Sequence, residues 1–113
     1  LHSVGLDVEK INHSFLLEID ELSDFFSCSE IKHIKESPDS CMTFFKMWTL
    51  KESVLKAKGT GFRFPPNEID ILNNPVEILD EKYYTYQKIL NEYSCSVATT
   101  LPIENIHFER VYL

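Results

Sequence analysis

Trp48-Thr49-Leu50-Lys51-Glu52-Ser53-Val54-Leu55-Lys56-Ala57-Lys58-Gly59 is the stretch from which the fold is read. It is rich in helix formers and free of proline, and Gly59 supplies a residue that takes the left-handed C-cap at no steric cost. Followed upstream, the same pattern reaches Cys41, so a helix is predicted over about Cys41 to Lys58. Ahead of it, Ser37-Pro38-Asp39-Ser40 breaks the chain and offers Asp39 or Ser40 as N-cap.

Working outward, Ser27-Cys28-Ser29-Glu30 has the form of a capping box, in which the Ser27 hydroxyl and the Glu30 carboxylate each satisfy the other's backbone N–H. A short helix to about Lys35 follows. Phe15, Leu16, Ile19, Leu22 and Phe26 recur at helical spacing, which predicts an amphipathic helix over 14 to 26. Before it, Leu1 to Glu9 alternates apolar with small or polar residues, as a strand with one buried face does. Val4, Leu6 and Val8 share one side, and Gly5, Asp7 and Glu9 the other. Downstream, Gly59-Thr60-Gly61 reads as a turn and Pro65-Pro66 as extended chain before a strand at Ile69-Asp70-Ile71. Past Asn73-Asn74-Pro75 the pattern becomes β-rich. Tyr84 and Tyr86 alternate with Thr85 and Gln87, Asn91-Glu92 makes a hairpin turn, Ser94 to Thr100 is a second strand and Ile106 to Tyr112 a terminal one. The order implies one α+β domain over residues 1–113, with helices packed on one face of a mostly antiparallel sheet.

Composition narrows the function. With 113 residues, 43% hydrophobic and 12% aromatic, the chain is globular. Acids outnumber bases 18 to 11, a net charge of −7, which argues against a nucleic-acid partner, because phosphate backbones are held by clustered Lys and Arg. No apolar run approaches the roughly 20 residues a membrane helix needs, and Leu1 to Lys10 has no signal-peptide pattern. The first residue is Leu1 rather than Met, so further sequence upstream is expected. Cys28, Cys41 and Cys95 form no Cys-x-x-Cys pair, which points to neither a zinc knuckle nor a redox dithiol but to reduced, mostly buried thiols in a cytoplasmic protein.

Two constellations carry chemistry. Asp7 and Glu9, two apart on a strand, point to the same side about 7 Å from each other, and two such carboxylates repel unless a cation sits between them. Trp48, Glu52 and Lys56, spaced by four, form one stripe of the long helix. Trp48 can anchor that stripe, Glu52 can add an oxygen ligand, and Lys56 can meet phosphate oxygens as a point charge. Each also has an ordinary reading: Asp-x-Glu as a solvated face, and Glu52 with Lys56 as a surface ion pair. Residues alone leave both open.

Their combination is more specific. Gly5-Leu6-Asp7-Val8-Glu9, then Phe25-Phe26-Ser27-Cys28-Ser29-Glu30, then Trp48-Thr49-Leu50-Lys51-Glu52 through Lys56 to Gly59-Thr60-Gly61 resembles the phosphopantetheinyl transferase superfamily, whose three blocks occur here in order. The Trp-x-x-Lys-Glu form is similar to the surfactin-synthetase-activating type. The resemblance implies transfer of the 4′-phosphopantetheine arm of coenzyme A to a serine of an acyl or peptidyl carrier protein, dependent on Mg²⁺. It implies Asp7, Glu9 and Glu52 as Mg²⁺ ligands, and Lys56 against the phosphates and able to protonate the leaving group; general acid–base chemistry then makes Glu52, or water on the metal, the base that takes the serine proton. Lys51 would add charge at the coenzyme A pocket wall. Members of that type are pseudo-dimers about twice this length, so an N-terminal half is expected outside this chain. A homodimer or homotrimer with sites between subunits is the alternative assembly, and a carrier-binding or metal-stabilised domain without catalysis the alternative function. Lys46, Lys51, Lys58 and Arg63 are the nearest positives for an acidic carrier. Phe25, Phe26, Phe44, Phe45 and Met47 suit core packing better than an apolar wall near the substrate. His2, His13, His33 and His107 show no metal spacing.

Overall fold

The computed structural model describes residues 3–13, 22–59 and 64–102. Strand β1 (Val4–Lys10) is followed by helix α1 (Cys28–Glu36) and the long helix α2 (Ser40–Lys58). A 3-10 turn (Pro66–Glu68), a short strand β2 (Val76–Ile78) and a hairpin of β3 (Glu81–Leu90) and β4 (Tyr93–Thr99) complete it. Among the described residues every strand pair is antiparallel and the order across the sheet is β1-β4-β3-β2, so β1 lies against β4. Helix α2 lies across β1 and β4, and α1 packs on α2. The α+β architecture is the one expected.

Local signals place the ends of these elements. Both halves of the capping box are formed at α1, with Ser27 as N-cap and Glu30 reaching back. Asp39 caps α2 by accepting from the Met42 N–H at 3.1 Å. Gly59 ends α2 at φ 77°, its N–H donating to the Leu55 carbonyl. In the hairpin turn Asn91 takes φ 56°, a left-handed conformation that asparagine tolerates better than most residues.

Other expectations change. Ile69-Asp70-Ile71 forms no strand. Pro65 leads into the 3-10 turn, the Asp70 side chain accepts from the Leu72 N–H, and the Ile71 N–H goes to the Glu30 carboxylate rather than to a neighbouring strand. Ile69 and Ile71 are instead two buried plugs of the core. The helix predicted over 14 to 26 lies largely outside the described residues, and residues 23–25 turn. The strand predicted over 106 to 112 lies outside them entirely, as do His2, Arg63 and His107. Of the three free thiols, Cys95 is buried, Cys41 half-buried and Cys28 exposed, so burial is not the general rule.

Strand β1 faces the opposite way from its hydrophobic pattern. Val4, Leu6 and Val8 are 64%, 54% and 48% exposed, whereas Gly5 is buried and Asp7 is only 6% exposed. The cause is close approach. A Cβ built on Gly5 would lie 2.0 Å from the Ser53 carbonyl oxygen and 2.4 Å from the Ala57 nitrogen, so only a glycine lets α2 rest on the strand's backbone. That contact selects the inner face of β1, and Asp7 is carried inward with Gly5.

Helix α2 is buried on nearly every side, which fits a helix in the middle of a domain. Toward α1 it presents Phe44, with Phe26 and Ile34 opposite. Toward the sheet it presents polar groups. The Thr49 hydroxyl hydrogen-bonds the Ser94 and Ser96 hydroxyls at 2.9 and 2.8 Å, and the Gln87 amide donates to the Lys46 carbonyl at 2.7 Å and to Ser96 at 3.0 Å. Polar groups this deep are retained because they are mutually satisfied. Ser96 and Ser94 are the cross-strand partners of Asp7 and Glu9, so the layer runs up to the acidic residues of β1.

Candidate active site

Asp7 and Lys56 meet where β1 crosses α2. The Lys56 Nζ is 2.7 Å from Asp7 Oδ1 and also donates to the Leu6 carbonyl at 3.2 Å. This pair couples residues 49 positions apart, rather than the surface pair within one helix that Glu52 and Lys56 suggested. The hydrogen bond to Asp7 raises the Lys56 pKa above its usual value, although burial opposes it.

Glu52, one turn before Lys56, points to the same region. Its carboxyl is pushed above the ordinary range, first by burial and then by Asp7, with Glu9 adding in the same direction and Lys56 opposing. Glu9 is raised as well, by burial first and by Asp7 second. All three carboxylates therefore share one electrostatic neighbourhood with one ammonium. Asp7 Oδ2 and Glu52 Oε1 are both buried without a hydrogen-bond partner. A buried, unpaired carboxylate oxygen is costly, so two together mark a place built for something positive.

The closed three-carboxylate cluster expected from the sequence is not assembled here. Among the described residues no group of three or more His, Cys, Asp or Glu side chains is drawn in tightly enough to hold a metal ion. The Lys56 ammonium lies on Asp7 instead. The donors still fit a hard divalent cation: they are carboxylate oxygens, two of them are orphaned, and they stand beside an outward-reaching lysine.

This geometry belongs to the three sequence blocks read above, and the model of the 4′-phosphopantetheinyl transferase superfamily matches residues 3–98. The chain belongs to that superfamily. It is 32% identical over 78 residues to the 4′-phosphopantetheinyl transferase gsp of Aneurinibacillus migulanus. That alignment takes in 67% of this chain but 32% of the relative, so the chain spans about a third of that protein's length. The fold is similar to that of the Thermotoga maritima holo-[acyl-carrier-protein] synthase, with a TM-score of 0.64 at 14% identity over 86% of this chain and 61% of that one.

One superfamily position departs from the role expected of it. Lys51, read as a charge on the coenzyme A pocket wall, has no exposed surface at all. Its ammonium forms an ion pair with Glu30, donates to the Phe25 carbonyl at 2.9 Å, and lies over the Phe25 and Phe26 rings. Burial lowers its pKa, and the hydrogen bond to Glu30 works against that. Lys51 is therefore a cross-brace between α1 and α2. Glu30 completes the brace through the Ser27 and Ile71 N–H groups, at 2.8 and 3.0 Å. The capping-box motif located Glu30, but nothing local disclosed its second partner 21 residues on.

The aromatic residues divide as expected. Phe25, Phe26, Phe44 and Met47 are core, and Phe45 is partly buried against it. Trp48 stacks on Phe25 with ring centroids 4.2 Å apart, which anchors the stripe that carries Glu52 and Lys56. The role of Gly5 and the hydroxyl layer at Thr49 were not found from sequence. Gly5 stood at the head of a motif, yet its close approach to α2 depends on a helix 48 positions away.

Proposed function

We propose that this chain carries the catalytic half-site of a 4′-phosphopantetheinyl transferase, moving the phosphopantetheine arm of coenzyme A onto a carrier-protein serine. The observation that carries this reading is the pair of orphaned oxygens on Asp7 and Glu52 beside Lys56, in a chain of this superfamily. Asp7, Glu52 and Glu9 would hold Mg²⁺, with Asp7 and Glu52 contributing the buried oxygens. When bound, the ion would offset the charge of the coenzyme A diphosphate. Glu52, whose carboxyl burial raises above the ordinary range, takes the proton of the serine hydroxyl. The serine oxygen forms the new bond to the β-phosphorus as the bond to the bridging oxygen breaks. Lys56 neutralises the departing adenosine 3′,5′-bisphosphate and can supply its proton. Lys51 takes no direct part and keeps α1 and α2 together. Among the described residues no helix is long and apolar enough to cross a membrane.

The test is a mass-shift assay with coenzyme A, Mg²⁺ and an apo acyl or peptidyl carrier protein. It is run on the chain alone and with the remainder of the A. migulanus relative supplied as a separate polypeptide. Transfer is expected to be low alone, to rise on complementation, and to vanish with Glu52→Gln. Full transfer by Glu52→Gln would remove that residue from the mechanism.

A further inference from the structure

Resting on the metal-site reading above, we propose that Lys56 is an internal counter-cation: it holds Asp7 in place of a divalent ion and releases it when ion and diphosphate arrive. The two ends of the Lys56–Asp7 pair are unequal. The Asp7 side chain is 7% exposed and fixed on a strand, whereas the Lys56 side chain is 52% exposed on a flexible four-carbon stem. Lysine is the member able to leave, since its ammonium can swing into water with little desolvation to recover.

The ammonium also satisfies the site incompletely. It occupies Asp7 Oδ1 and the Leu6 carbonyl, but Asp7 Oδ2 and Glu52 Oε1 stay buried and unpartnered. A divalent ion with several oxygen positions answers those atoms, which a single ammonium does not. The two cations exclude each other, because a unit charge and a double charge sharing one carboxylate oxygen repel strongly in a partly buried setting. Among the described residues the groups facing Lys56 are Asp7 and Glu9 from β1 and Glu52 from its own helix, all negative, so the ammonium and the ion compete for the same carboxylates. Lys56, once displaced, has an anion to meet only when a phosphate is bound beside it. Ion binding and diphosphate binding thus favour each other, by an amount that is the same whichever binds first. The pair sets the site to prefer a substrate that brings both.

Mn²⁺ alone, followed by electron paramagnetic resonance, tests the exchange without any turnover. Lys56→Met is expected to bind Mn²⁺ roughly three- to tenfold more tightly than the unmodified chain, the range set by the strength of a partly exposed ion pair. Lys82→Met, across the sheet beside Glu77, should change the affinity less than about twofold and so controls for net charge. In the unmodified chain with ¹³C-methylated lysines, the Lys56 signal should move as Mg²⁺ is added. Equal or weaker binding by Lys56→Met, or a stationary Lys56 signal in an ion-loaded chain, overturns the exchange and leaves the metal site standing. No Mn²⁺ uptake by either chain removes the metal site itself, and the exchange with it. Uptake by Lys56→Met alone supports the exchange in its strongest form.

Discussion

Gly5 and Ser53 are in backbone contact: a methyl group on Gly5 would stand 2.0 Å from the Ser53 carbonyl oxygen. This single approach sets β1 against α2 and brings Asp7 within 2.7 Å of Lys56. It also explains why an apolar row, Val4, Leu6 and Val8, faces outward.

Gly5→Ala therefore forces strand and helix apart, since both nearby atoms are backbone and neither can rotate away. Overpacking of this kind costs about 1–3 kcal/mol or more, and the backbone contact places this case at the upper end. Thermal unfolding followed by circular dichroism should show a Tm lower by roughly 10 °C. An unchanged Tm would mean that β1 is not seated as described.

The Glu30–Lys51 pair has no exposed surface at either end. Removing one partner from a buried ion pair strands the other, at about 3–5 kcal/mol. Lys51→Met and Glu30→Gln are each expected to destabilise by amounts of that order. The double variant should cost less than their sum by at least about 1 kcal/mol, read from urea unfolding as a double-mutant cycle. Additive losses would indicate that the two side chains do not act as a pair.

Much of the fold was legible because its signals are local. The Ser27–Glu30 box, the Asp39 cap, the Gly59 C-cap and the Asn91-Glu92 turn each depend on a few consecutive residues, and each is where the sequence places it. What was misread depends on distant partners. The inner face of β1 is decided by α2, the burial of Lys51 by Glu30, and the fate of Ile71 by that same carboxylate. The buried hydroxyl of Thr49 could not be foreseen from its own segment either, because its partners Ser94 and Ser96 lie 45 and 47 residues on. For the site, Asp7, Glu9, Glu52 and Lys56 share one region; spacing paired Asp7 with Glu9 and Glu52 with Lys56, and only the family resemblance put the two pairs together. Lys51, adjacent to Glu52 in sequence, points into the core because successive helix residues face different ways.

Glu52 makes stability depend on pH in a defined direction. Its carboxyl is raised by burial first and by Asp7 second, so the folded chain keeps a proton that the unfolded chain releases. The penalty is absent below the unfolded carboxylate range and grows as pH rises through that range to the folded pKa. Glu52→Gln should therefore melt a few degrees above the unmodified chain at about pH 7.5, and the two should converge near about pH 4. A variant less stable than the original at neutral pH would show that the Glu52 carboxylate is stabilised rather than strained.

The most direct test of the site is calorimetric titration of coenzyme A into the chain, with Mg²⁺ and then with a chelator in its place. Binding is expected to require Mg²⁺, to disappear on chelation and to be absent in Glu52→Gln. Coenzyme A bound equally well without the ion, or by Glu52→Gln as tightly as by the original, would contradict it.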